Sequence, residues 1–140
     1  MKKELIIQFS PIKFDFIYLD KNIFDWIERN LGKECDICHK ITKNSYICLI
    51  CGDKVCGNKI NEILNHTKMC TEQFCLYIDM ENMNIMLFSY YNIIKQLFPI
   101  YVNKAGVGPR GNEIGREFNL SHEKLNQAIK IFVYNDFQIE

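Results

Sequence analysis

All seven cysteines of the chain fall between residues 35 and 75. They run Cys35-Asp-Ile-Cys38, nine residues, Cys48-Leu-Ile-Cys51-Gly52, then Cys56, His66, Cys70 and Cys75. Two residues between thiolates let a tight knuckle aim both sulfurs at one tetrahedral ion about 2.3 Å away, and Gly52 frees the backbone behind the second pair. Thiolate-rich, redox-inert tetrahedral sites favour Zn²⁺, whereas an Fe–S centre fits poorly with a histidine among the donors and finger-like spacing. The chemistry expected is structural. A catalytic zinc keeps an open position among His and carboxylate ligands, and the chain has no HExxH or HxE motif. Neither cysteine pair sits at the strand-to-helix turn of a βαβ unit, as a thioredoxin-like redox role requires. Gly106 to Gly115 lacks the Lys-Ser/Thr ending of a phosphate loop.

Counting donors sets the number of ions. Cys35, Cys38, Cys48, Cys51, Cys56, His66, Cys70 and Cys75 make eight ligands, enough for two four-coordinate zinc sites, and their order predicts a cross-braced arrangement. Two partitions fit. In one, Cys48, Cys51, His66 and Cys70 close a site, leaving Cys35, Cys38 and Cys56 to be completed by Cys75 or a water. In the other, Cys35, Cys38, Cys56 and His66 form one site and Cys48, Cys51, Cys70 and Cys75 the other. Cys75 is the least certain ligand, because it opens an apolar strand and free cysteine packs well in cores. His39 reads as a solvated neighbour of Cys38, and His122 as a surface residue in the first turn of a helix.

Elements must carry these donors. Phe14, Ile17, Tyr18, Phe24 and Ile27 recur at helical spacing, which predicts an amphipathic helix over about 12–30, with a break near Asp20-Lys21-Asn22 and Trp26 packed inside. Pro11 suits its first turn and Gly32 its end. Phe74 to Ile78 and Ile85 to Tyr91, separated by a polar run from Asp79 to Asn84, predict a hairpin. Ile93 to Val102 adds a third run, in which Pro99 demands an edge or a break. Five residues among 103–117 are Gly or Pro, so this stretch is a loop. Ser121 is a suitable N-cap for a final helix presenting Leu125, Ala128, Ile129 and Phe132. The fold class expected is α+β in one domain over 1–140. Its parts are an N-terminal helical segment (1–34), a zinc-knuckle segment (35–75), a small antiparallel sheet (76–102), a Gly-rich loop (103–120) and a C-terminal helix (121–140).

Composition narrows the partners. Seventeen basic residues balance seventeen acidic ones, leaving no net field to steer nucleic acid or an anionic membrane. Apolar content of 48% excludes disorder. The apolar runs are shorter than the roughly 20 residues of a membrane span, and nothing at the start reads as a secretory signal. The expectation is a cytoplasmic protein, or a nuclear one, in which clustered thiols hold metal rather than pair as disulfides.

The stretch Tyr46-Ile-Cys48-Leu-Ile-Cys51-Gly52 with Cys56, then His66-x3-Cys70 ahead of Phe74 to Ile78, resembles the C-terminal domain of the UBR-type N-recognins. These are the E3 ubiquitin ligases of the N-degron pathway. Leu5 to Tyr18 is similar to that family's short entry segment. Tyr101, Gly106, Gly111, Gly115, Phe118, Leu120 and Glu123-Lys124 keep the register of its tail. Three positions depart: Asn103 stands where the family has Asp, Glu117 where it has Pro, and Ile63 where several members carry a cysteine. The last departure leaves the first zinc site short of its usual fourth ligand.

The resemblance implies a structural or regulatory module of a ligase, with the rest of that polypeptide or complex as partner. No UBR box or RING pattern is present in the chain, so activity by itself is not expected. The alternative is a ubiquitin-binding zinc finger of the deubiquitinase type, which reads the free tail of ubiquitin and has a similar ligand order. Against it, Asn58 stands where those modules often carry Arg.

Overall fold

The computed structural model describes residues 16–30, 32–41, 44–57, 60–90, 94–110 and 114–138. Among the described residues the fold is α+β: three helices pack around a five-stranded antiparallel sheet, with a two-stranded ribbon beside it. The helices are α1 (Ile23–Asn30), α2 (Ile60–Thr71) and α3 (His122–Gln138). The strands are β1 (Ser45–Cys48), β2 (Lys54–Cys56), β3 (Phe74–Asp79), β4 (Asn84–Ser89), β5 (Ile94–Pro99), β6 (Tyr101–Val102) and β7 (Asn119–Leu120). The large sheet runs β2-β1-β3-β4-β5, and β6 pairs with β7.

Side chains alternate across β3 and β4, so each strand feeds two cores. Phe74, Leu76, Ile78, Ile85 and Leu87 point to one face, where they meet Ile23 and Trp26 of α1, Ala128 and Phe132 of α3, and Ile100 and Tyr101. Cys75, Tyr77, Met86 and Phe88 point to the other, with Cys48, Val55 and Ile63 of α2. Every residue of β3 is buried, because helices cover both faces. The second face is the one that carries the cysteines.

The predicted hairpin forms as β3 and β4, closed by Asp79 Oδ1 accepting from the Glu81 amide at 2.8 Å and Asn82 Oδ1 from Asn84 at 3.0 Å. β5 lies at the sheet edge and ends on Pro99, where the ladder shifts register opposite Asn84 to Met86. Ser121 caps α3, its Oγ accepting from the Lys124 amide at 3.2 Å. The described parts of 103–117 form no helix or strand, and β6 and β7 join their two ends.

The N-terminal helix is shorter than the periodicity predicts. Residues 12–15 lie outside the described residues, and 16–22 are not helical. Ile17 donates to the Leu49 carbonyl at 2.9 Å, and Lys21 accepts from the Leu120 amide at 2.7 Å, so this stretch spends its backbone bonds on other strands and turns. Asn22 then starts α1, its Oδ1 accepting from the Phe24 amide at 3.0 Å. Trp26 is buried as expected. Asp20 anchors the entry: its carboxylate takes two bonds from Arg29, at 2.8 and 3.0 Å, and its carbonyl accepts from the Tyr101 hydroxyl at 2.6 Å.

Burial, with Asp20 adding to it, holds the Tyr101 phenol above the ordinary tyrosine range. A raised pKa stabilises the fold below the unfolded value of about 10, and this is lost as pH rises through the folded value. Tyr101→Phe strands the Asp20 carbonyl and should cost about 1–2 kcal/mol at neutral pH by urea denaturation. The gap between wild type and variant should narrow above pH ~10.

Candidate metal centre

Both Cys-x2-Cys segments adopt one backbone plan. In the first, the His39 amide donates to the Cys35 carbonyl at 2.9 Å; in the second, the Gly52 amide donates to the Cys48 carbonyl at 2.8 Å. The residue after each second cysteine is left-handed, His39 at φ 62° and Gly52 at φ 84°. The Ile37 and Ile50 amides each lie 3.4 Å from the first sulfur of their knuckle, a donor that stabilises thiolate. His39 therefore belongs to the turn. Its exposed ring lies 3.7 Å from Glu34. His122 is an exposed residue at the start of α3.

The second knuckle is the β1–β2 turn itself. The first is tied to the outer edge of β2: the Asp36 amide donates to the Lys54 carbonyl at 2.8 Å, and the Lys54 amide to Asp36 Oδ2 at 2.7 Å. Opposite both stands α2. Its residues Glu62, His66 and Cys70 are spaced by four, so they line one ridge of the helix. Ile63, Thr67 and Thr71 are buried against the sheet.

Two groups of four donors result. Cys48, Cys51, His66 and Cys70 bring their ligand atoms within 4.8 Å of one another, and so do Cys35, Cys38, Cys56 and Glu62. Tetrahedral thiolates about 2.3 Å from one ion stand roughly 3.8 Å apart. The Cys48–Cys70 sulfurs are 3.9 Å apart, Cys38–Cys56 3.2 Å, and Cys51 Sγ lies 3.3 Å from His66 Nε2. Both groups could hold a metal ion, and their donors interleave along the chain as the spacing predicts.

The grouping follows the first of the two partitions. Cys75 is fully buried in β3, its sulfur 3.3 Å from that of Cys48, but it is not among either four. Burial pushes its thiol up. Glu62 was not foreseen. Spacing rules built on Cys and His pass over a carboxylate, although its distance of four residues from His66 was the available signal. Ile63, where the resemblance puts a cysteine in several members, is buried in the core under α2 with Cys48, Cys75 and Tyr77.

Hydrogen bonds from Cys48, Cys51 and Cys75 hold the Cys70 thiol well below the usual range, against burial. Hydrogen bonds with Cys51, Cys70 and Cys75, together with burial, push the Cys48 thiol up. For Cys51 the lowering effect of Cys48 is outweighed by Cys70 and burial, and its thiol rises to about 11. In the first group, Cys56 lowers the Cys38 thiol. Binding of an ion to such thiols releases their protons.

Behind His66 is a support. Its Nδ1 lies 2.8 Å from the Tyr77 hydroxyl, which lies 2.9 Å from Thr67 Oγ1, and Thr67 donates to the Ile63 carbonyl at 2.9 Å. This leaves Nε2 facing Cys51, with Asp53 Oδ2 3.4 Å away.

Fold and site together define a cysteine-rich α+β module braced by two four-donor clusters. The chain belongs to the Proteolysis_6 C-terminal family, which it matches over residues 1–132. That membership is consistent with the C-terminal part of an N-degron-pathway ligase. No curated protein matches the chain.

Two outcomes are expected. Tyr77→Phe removes the support of the His66 ring and should weaken metal binding at the second group by about 10–100-fold in a chelator competition. In urea denaturation of metal-loaded protein, Gly52→Ala should cost at least about 1–2 kcal/mol, because a Cβ there is left-handed and meets Ile17 Cγ2 at 3.3 Å. His39→Gly, in the equivalent turn position, should gain about 1 kcal/mol.

Proposed function

We propose that the chain is a zinc-stabilised C-terminal module of a UBR-type ubiquitin ligase of the N-degron pathway, structural and regulatory rather than catalytic. The observation that carries this reading is the coincidence of the family match with two interleaved donor groups that share one helix. The donors suit Zn²⁺: one group has three thiolates and an imidazole, and the other has three thiolates beside a carboxylate. Bound zinc would supply cross-links and Lewis-acid charge. The chain's residues hold it, and the knuckle amides and Tyr77 orient them.

The module docks on the remainder of its ligase, in the cytoplasm or nucleus. The loop from Asn103 to Glu117 is the candidate contact. Asn103 Oδ1 accepts from the Ala105 and Val107 amides at 2.9 and 3.0 Å, which holds its first turn in shape. Arg110 is exposed, whereas the Arg116 guanidinium stacks 5.4 Å from the Phe24 ring. Arg110→Ala is therefore the cleaner probe of docking.

Purified protein should contain two zinc ions per chain, and EDTA should lower its melting temperature and abolish binding to the remaining ligase polypeptide. Zinc-free protein with an unchanged melt would overturn the reading. Addition of a ubiquitin-conjugating enzyme should give no chain formation by this module alone. Micromolar binding of ubiquitin that is lost when its last two residues are removed would instead favour a reader of the ubiquitin tail.

A further inference from the structure

We infer that Glu62 is the fourth ligand of the first metal site, in place of a cysteine or a water. The inference rests on the zinc reading above and goes beyond it in naming the donor that the spacing leaves open. Glu62 Oε1 lies 3.5 Å from Cys35 Sγ, and it falls with the sulfurs of Cys35, Cys38 and Cys56 inside 4.8 Å. Zinc accepts carboxylate oxygen at 2.0–2.2 Å, so the donor type is competent.

The alternatives are placed elsewhere. Cys75 lies beside the second group instead, its sulfur 3.3 Å from that of Cys48. Ile63 follows Glu62 by one residue, a rotation of about 100° around the helix, and at 1% exposure it is packed with Cys75 and Tyr77. A cysteine at 63 would point into that core. On this helix, the residue that faces the first group is the one four before His66.

The test is metal affinity, read apart from any ligase activity. Wild-type protein should release two zinc ions in titration with a chromophoric chelator. Glu62→Ala and Glu62→Gln should weaken one of them by at least the roughly tenfold that loss of an outer-shell partner already costs. Glu62→Cys should hold both ions, and its cobalt-substituted form should show stronger thiolate charge-transfer absorption than wild type. Adding Ile63→Cys to Glu62→Ala should not restore the weakened ion. His66→Ala, as a control, should weaken the other ion. If Glu62→Ala destabilises the fold, the cobalt spectrum of Glu62→Cys still decides the matter, and an unchanged spectrum would overturn the inference. Two ions held by Glu62→Ala with wild-type affinity would also overturn it while leaving the zinc reading intact. Wild-type protein holding no zinc would sink the zinc reading itself.

Discussion

The rotational setting of α2 is the constraint on which both donor groups depend. Glu62, His66 and Cys70 share one ridge, while Ile63, Thr67 and Thr71 form the adjoining, buried face. Two turns separate Glu62 from Cys70, a rise of about 12 Å, so one helix reaches both knuckles without bending. The setting is fixed from below. Tyr77 stands on the central strand and touches Thr67 and His66 at 2.9 and 2.8 Å, joining the buried face of α2 to its ligand ridge. A turn of about 100° would put Ile63 where Glu62 is and Thr67 where His66 is, and both groups would lose a donor at once.

The sheet explains why the donor groups stand on this side of the molecule. Its first face is covered by α1, α3 and a large apolar cluster with Trp26, Phe132 and Tyr101 at its centre. The second face has a smaller set of apolar side chains, with Tyr46, Tyr77 and Phe88 packed edge to face at centroid distances of 5.3–6.2 Å. Above that set lie one helix and two loops. Such a layer has little apolar area of its own, and ions held by the two groups would supply the stability that a small core lacks. Cys48 and Cys75 show the two uses of one residue type: both are fully buried in the same cluster, yet only Cys48 ends its strand at the knuckle and joins a donor group.

What could be read from residues alone follows the range of the signal. The hairpin, the edge strand ending on Pro99, the Ser121 cap and the two knuckles are local patterns, and each stands where its pattern predicts. The N-terminal helix begins later than its periodicity predicts, because Ile17 and Tyr18 continue the apolar spacing of Phe24 and Ile27 without being helical. Residues 16–22 instead take distant backbone partners at Leu49 and Leu120, which no local pattern encodes. α2 and the strands β1 and β2 were absorbed into the cysteine segment, since ligand spacing dominates their short, mixed sequences. Glu62 was invisible for a related reason. A carboxylate becomes a candidate ligand only once a helix has turned it toward three sulfurs.

Interleaving gives the two groups a joint consequence. The first spans residues 35 to 62 and the second 48 to 70, so the chain between the ends of each group contains part of the other. An ion that closed either loop would fix α2 against a knuckle and so reduce the loop-closure cost of the other. The helix stands in both loops, and so does the β1–β2 hairpin. Loss of one ion would therefore leave the other group's donors on elements held at fewer points, and the two would be expected to bind cooperatively. The coupling needs no contact between the groups, because the rigid helix between them carries it.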